Sequence, residues 1–291
     1  MTQTKRSFLA LAALLAVDFA YSVWDGRSLR HEIEAIGSIG LYVSNITQSL
    51  HIFMPDELAH TWSLAVEEQF YILWPAALLM ILAWEVHKRG SMSRVVPWAL
   101  PIGIAATVIA RIVVWRTMGY PPAYMLPFCR SDSLLIGCTL AFLHHQGLLP
   151  RKWAGMAACL GASALLALAF LWNQASDSGY YGVFTLVALL AAAVINGLMV
   201  EAPGPTAIFS WRPLVAVGRV SYGVYLWSVM ILTILVDHTL GLPPWPRLVI
   251  GLALTAAATW ASWVVIEKPA LRLKNRFGSV ALRPELVVDQ A

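Results

Sequence analysis

Apolar residues run along this chain in unbroken stretches of helix-crossing length, not at the alternating spacing of strands. The clearest stretches are 7–24, 61–85, 95–115, 129–145, 153–173, 180–200, 213–236 and 248–266. A bilayer core of roughly 30 Å is crossed by about 20 helical residues, so each stretch is long enough to span one. Backbone groups in lipid have no water to bond, which makes helix the expected state of every span. The intervals carry loop punctuation: Gly119-Tyr-Pro-Pro122, Asp177-Ser-Gly179, Pro203-Gly-Pro205 and Pro243-Pro-Trp-Pro246. The expected fold class is all-α, a polytopic transmembrane bundle of about eight spans.

Composition agrees with that pattern. Of 291 residues, 59% are hydrophobic and only 12% are charged, against about a quarter charged in soluble domains. Secreted disulfide scaffolds, nucleic-acid modules and disordered tails are excluded at this point. The net charge of +4 resides in loops, where basic residues mark the cytoplasmic side, so no nucleic acid partner is implied. Cys129, Cys138 and Cys159 lack metal or redox spacing and read as packing residues.

Region 36–53 is the ambiguous one, since its Ser, Asn, Thr and Gln interrupt a moderately apolar run. Charge bias resolves it. Without a crossing there, 13 of the 20 Lys and Arg residues fall on one side and five on the other, with Arg111 and Arg219 inside spans. That split predicts both termini in the cytoplasm. The first segment, Lys5-Arg6 followed by Ser7–Val17, also has the look of a secretory signal. Asp18 at its end favours retention as a membrane helix.

Charges inside a span are costly and face a cavity or a partner. The densest group is His60-Thr-Trp-Ser-Leu-Ala-Val-Glu-Glu-Gln-Phe-Tyr71. Four-residue spacing puts Ser63, Glu67 and Tyr71 on one helix face, ending near Trp74, with Glu68 about 100° around. They would form a polar pocket in the outer half of the bilayer. Three plainer roles compete. Glu67 and Glu68 would pair with Arg111 or Arg130, Ser63 would cap the helix, and Glu67 would favour its dipole. A second group, Arg130-Ser-Asp132, opens a span at the outer surface, where Asp132 would act as a first-turn carboxylate. A third, Gly218 to Ser228, strings Ser221, Tyr225 and Ser228 along one stripe and places Arg219 near the cytoplasmic end. Asn45-Ile-Thr47 matches a glycosylation sequon too short to carry weight.

These motifs together resemble the acyltransferase family 3 membrane proteins. The segment from His60 to Tyr71 resembles that family's signature. Leu126–Gly137 resembles its arginine–aspartate helix start, Val217–Trp227 its "GRISYSLYLWH" element, and Trp263–Arg272 its closing "iEkP" element. The likeness extends over about residues 40–275. It assigns 1–275 to the transmembrane acyltransferase domain and 276–291 to a cytoplasmic tail.

The resemblance implies an inner (cytoplasmic) membrane enzyme. It would move an acyl group, commonly acetyl from acetyl-CoA, onto a hydroxyl of an extracytoplasmic glycan or lipid-linked sugar. Acyl-CoA is a co-substrate in that scheme, and no bound cofactor or metal is implied. Glu67 and Glu68 belong to the implied catalytic region with His60 the adjacent imidazole, and Ser63, Tyr71, Arg130, Arg219 and Tyr225 are candidate contacts to donor or sugar. Family members have ten helices. The first of two additional ones carries an arginine and, about eleven residues later, the base histidine, and an arginine-rich motif precedes the third. This chain corresponds to the family from its third helix on, and its third motif ends Trp227-Ser228 where Trp-His is usual. The alternative reading is therefore a catalytically degenerate membrane protein, or a small-solute transporter of the same fold.

Overall fold

The computed structural model describes residues 3–89, 95–173, 176–238 and 243–269. The tail 276–291 lies outside the described residues. Twelve α-helices follow in order: α1 (Gln3–Trp24), α2 (Leu29–Gly40), α3 (Ser44–Ser49), α4 (Trp62–Arg89), α5 (Val96–Met118), α6 (Pro122–Met125), α7 (Pro127–His145), α8 (Ala154–Leu171), α9 (Phe184–Met199), α10 (Pro203–Phe209), α11 (Arg212–His238) and α12 (Pro244–Ser262). A 3-10 turn, Asp56–Thr61, leads into α4, and π-turns at Gly179–Val183 and Trp263–Glu267 adjoin α9 and α12. Among the described residues seven helical stretches are long and apolar enough to cross a membrane, and Phe8–Trp24 is a shorter apolar helix. The chain is a multi-span, all-helical membrane protein, and the spans read from hydropathy begin and end within a few residues of the observed helices. Region 36–53 falls on the end of α2 and on α3, helices of 12 and six residues. At about 1.5 Å per residue neither reaches across 30 Å.

Burial is inverted relative to a water-soluble protein. Phe170 and Leu171 are 85% and 83% exposed, whereas Arg111 and Asp18 are fully buried. Lipid solvates apolar side chains as well as the interior does, so the interior gathers the polar ones.

Two compact units partition the chain. One comprises Met1–Ile36, Pro55–His60 and Ala216–Ala291, the other Gly37–Met54 and Thr61–Val215. In the second unit α8 packs on α9 and α5 on α7. Small residues allow the first of these contacts. A Cβ on Gly197 would lie 2.5 Å from the Ala158 Cβ, and one on Gly161 would lie 2.9 Å from the Leu190 carbonyl.

The α5–α7 contact encloses a buried ion pair. Arg111 Nη1 donates to Asp132 Oδ2 at 2.8 Å and to the Cys129 carbonyl at 3.1 Å. Its Nε donates to the Tyr180 carbonyl and its Nη2 to the Thr185 hydroxyl, which in turn donates to Asp132. The guanidinium thus ties α5 to α7, to the Gly179–Val183 turn and to α9. Asp132 is 1% exposed and lies beyond the first turn of α7, so it is a core partner and not the surface dipole carboxylate expected from sequence. Its commitment to Arg111 also removes Arg111 as a partner for Glu67 or Glu68.

In the first unit Arg27 bridges Asp25 at 2.9 Å and pairs with Glu57, its guanidinium 4.9 Å from the Tyr21 ring. Burial opposes the Arg27 charge, but Asp25 and Glu57 outweigh it and raise its pKa further. Asp18 and Glu32, both almost wholly buried, lie against one another beside this pair.

Removing one partner of a buried pair leaves an uncompensated charge, which costs about 3–5 kcal/mol. Arg111→Met is therefore expected to lower the thermal unfolding midpoint of the detergent-purified chain sharply. Arg111→Met combined with Asp132→Leu recovers most of the loss; a double variant no better than the single one would refute the ion-pair assignment.

Candidate functional site

The signature segment straddles the border of the two units, His60 closing one and Thr61 opening the other. Its first half is the 3-10 turn, its second the start of α4. Because that turn runs directly into α4, the helix begins at Trp62 and Ser63 sits inside it. Ser63 is thus not a helix cap, which excludes one of the alternatives the sequence left open, and the first turn of α4 contains no acidic residue.

Within the first unit the structure brings His60 and Tyr225 together. The Tyr225 hydroxyl donates to the His60 carbonyl at 2.7 Å, and the two rings meet edge-on with centroids 5.3 Å apart. The His60 imidazole is 9% exposed and lies against the backbone of Glu57 and Leu226. Arg219, two turns earlier on α11, is exposed. Ser221 and Ser228 bond the carbonyls of Gly218 and Tyr225 on their own helix. Such back-bonding leaves Tyr225 as the member of that stripe which reaches another segment.

Within the second unit α4 carries Glu67 and Tyr71 on an exposed face, with Glu68 and Ser63 partly buried. Ala65 and Val66 supply the buried side. Burial and the nearby Glu68 carboxylate push the Tyr42 phenol above its ordinary pKa, which locates Glu68 on the side of α4 towards the α2–α3 connection.

The register of α4 is held by amides. Gln69 Nε2 donates to the Asn45 Oδ1 at 2.9 Å and to the Tyr42 carbonyl at 2.8 Å. Asn45 Nδ2 donates to the Gln69 Oε1 at 3.2 Å and to the Met125 carbonyl at 3.3 Å. Asn45 is fully buried, so the sequon residue is a structural amide. This pair and the Arg111–Asp132–Thr185 group were not singled out from sequence as sites. The available signal was an arginine in mid-span with one acid 21 residues further on.

Arg130 occupies the start of α7 beneath three rings. Its guanidinium carbon is 4.2 Å from the Phe184 centroid, 5.1 Å from Tyr124 and 5.9 Å from Trp62. Trp62 is the first residue of α4, so the cage joins the two sequence motifs through an aromatic contact. Trp115 stacks on Tyr180 at 3.8 Å, and Tyr124 and Tyr180 each lie 5.6 Å from Phe184, extending the same cluster. Of the expected site residues, the structure thus groups His60 with Tyr225, sets Ser63, Glu67, Glu68 and Tyr71 along one helix, and gives Arg130 an aromatic surround.

Comparison with known proteins adds to this geometry. Residues 7–267 match the sequence profile of a family described as an acyltransferase domain. The chain is 30% identical over 252 residues to the peptidoglycan O-acetyltransferase OatA of Listeria monocytogenes, covering 79% of this chain and 39% of that one. It is 30% identical over 285 residues to YrhL of Bacillus subtilis, covering 89% and 43%. The O-acetyltransferase OatA of Staphylococcus aureus is 26% identical over 270 residues, covering 87% and 43%. The chain spans about two fifths of the length of these relatives. No solved structure matches it.

An unpaired buried amide costs about 1–3 kcal/mol, a single lost neutral hydrogen bond about 1 kcal/mol. Gln69→Ala is therefore expected to depress the thermal midpoint clearly more than Tyr225→Phe does. Equal effects in the two variants would show that the Asn45–Gln69 pair does not hold α4.

Proposed function

The chain belongs to acyltransferase family 3, and from that membership we propose that it takes part in O-acyl transfer at the cytoplasmic membrane, moving acetyl from acetyl-CoA to a hydroxyl of an extracytoplasmic glycan or lipid-linked sugar. The observation that carries the reading is the segment from His60 to Tyr71. It places two adjacent carboxylates on the membrane helix α4 next to a buried imidazole in sequence, inside a region that matches the family profile from residue 7 to 267. All three relatives above carry O-acetyltransferase names, which supply the acyl group, and the Listeria and Bacillus names specify peptidoglycan, which points to it as the acceptor class.

The chemistry follows from the groups present. The acceptor hydroxyl oxygen attacks the thioester carbonyl carbon, the new C–O bond forms, and the C–S bond breaks. A base takes the hydroxyl proton, and that proton then leaves on the CoA sulfur, so the products are the ester and free CoA. Glu67, exposed on α4, is assigned the role of taking or relaying that proton. Glu68 is the second carboxylate of that helix, and His60 is the imidazole of the same sequence segment. Ser63 and Tyr71, on the Glu67 face, and Arg219 and Tyr225 on α11 are candidate contacts to donor or acceptor. Both termini are assigned to the cytoplasm on the charge bias, which leaves the start of α4 on the outer side.

Loss of a positioned general base typically costs 10²–10⁴ in rate. Membranes containing the chain are expected to transfer label from acetyl-CoA to an ester-linked glycan product, with Glu67→Gln reducing transfer about 100-fold or more. Unaltered transfer in Glu67→Gln would remove Glu67 from the mechanism. Absence of transfer both by the chain and by a version extended with its upstream coding sequence would overturn the proposal.

A further inference from the structure

Arg130 is the one caged cation in the second unit whose counter-charge the structure does not supply among the described residues. The acid nearest in sequence, Asp132, is fully engaged by Arg111 and Thr185. Arg130 Nη1 is buried and meets no acceptor. What surrounds the guanidinium is aromatic: Phe184, Tyr124 and Trp62. Ring quadrupoles attract a cation, but each contributes about 0.5–2 kcal/mol, and none accepts the in-plane N–H bonds. A half-buried guanidinium at the start of a membrane helix without an acceptor is costly, and charged groups within membrane helices mark substrate pathways. Arg130 also stands in the first turn of α7, where the helix dipole adds positive potential.

The shape of the surround narrows the ligand class. Guanidinium forks match carboxylate or phosphate bidentately. Flat aromatic faces pack against the apolar C–H face of a pyranose ring. Tyr120, 58% exposed and 6.1 Å from Tyr124, continues the aromatic run towards the surface. A simple anion site would need the cation and not the run of rings, and an apolar site would need the rings and not the cation.

We propose that Arg130 and its aromatic cage form a binding subsite for an acidic sugar, the guanidinium holding a carboxylate or phosphate while Tyr124 and Trp62 pack on the ring that bears it. This rests on the acyl-transfer reading only for its role, which is to anchor the glycan acceptor. The subsite itself is defined by binding. It explains why the cage draws Trp62 from the signature segment and Arg130 from the second motif into one contact. Arg130 is an anchor in this scheme and takes no part in proton transfer.

The test is binding without acetyl-CoA. The full chain, purified in detergent, is titrated with glucose 1-phosphate, glucuronate, glucose and inorganic phosphate while the thermal midpoint is followed. An acidic sugar at tenfold excess over its Kd is expected to raise the midpoint by about 3 °C. Glucose leaves it unchanged, and inorganic phosphate at the same concentration raises it less. The stronger of the two acidic sugars identifies the acid group. Arg130→Gln abolishes the shift, Arg130→Lys retains a weakened one, and Arg30→Gln, on the exposed Arg30–Glu34 pair, retains it in full. If Arg130→Gln does not fold, the Arg130→Lys comparison carries the test. No shift with either acidic sugar, a full shift in Arg130→Lys, or an equal shift with inorganic phosphate would overturn the subsite. Transfer assayed separately keeps the two proposals apart: binding lost with transfer intact removes the subsite alone, and binding intact with no transfer removes the acyl-transfer reading alone.

Discussion

The second unit depends on a charge that its surroundings can barely tolerate. Arg111 lies in mid-span with no exposed surface, and an isolated guanidinium there would be strongly unfavourable. Five N–H groups in a rigid fork turn this liability into an organiser. Asp132, Thr185 and the carbonyls of Cys129 and Tyr180 all converge on it. Satisfying one side chain therefore fixes the relation of α5, α7, the Gly179–Val183 turn and the start of α9. Arg130 and Phe184 stand on two of these elements, α7 and α9, while Tyr124 comes from α6 and Trp62 from α4, so the cage takes part of its geometry from the ion pair.

Packing elsewhere in that unit follows a different rule. Lipid offers apolar side chains no incentive to leave it, so helices associate by close approach and not by hydrophobic burial. Gly197 against Ala158 and Gly161 against the Leu190 carbonyl show this between α8 and α9. Large residues such as Phe170 and Leu171 of α8 and Leu189 and Ile195 of α9 are exposed. Polar groups are thereby concentrated at few points, and those points are where chemistry is available.

How far the sequence disclosed this varies by level. The long helices and their limits are readable because hydropathy over 20 residues reports a bulk solvent preference, which needs no tertiary knowledge, whereas the short helices α2, α3, α6 and α10 have no such signal. The family followed from the dense polar segment His60–Tyr71. The partner choices were not readable. The sequence places Asp132 at a surface and leaves Arg111 or Arg130 open as partners of Glu67 and Glu68, because helical spacing specifies which residues share a face and not which neighbouring helix that face meets. Capping stays open for Ser63 in the sequence because an apolar run shows where a helix continues, while the 3-10 turn at Asp56–Thr61 that precedes its start has no hydropathy signature. The role of Asn45 was hidden for a related reason: a buried amide and a surface sequon look identical in one dimension.

That amide has a consequence for the helix it holds. The reciprocal Asn45–Gln69 contact carries no net charge, and neither partner titrates in any accessible pH range. Glu67 and Glu68 precede Gln69 directly, and their protonation changes in any proton-transfer role. Anchoring α4 through ions would couple its register to that change, so each proton movement would also strain the scaffold. A neutral clasp separates the two: under the proposed proton transfer, the backbone that carries the carboxylates keeps the same hold throughout.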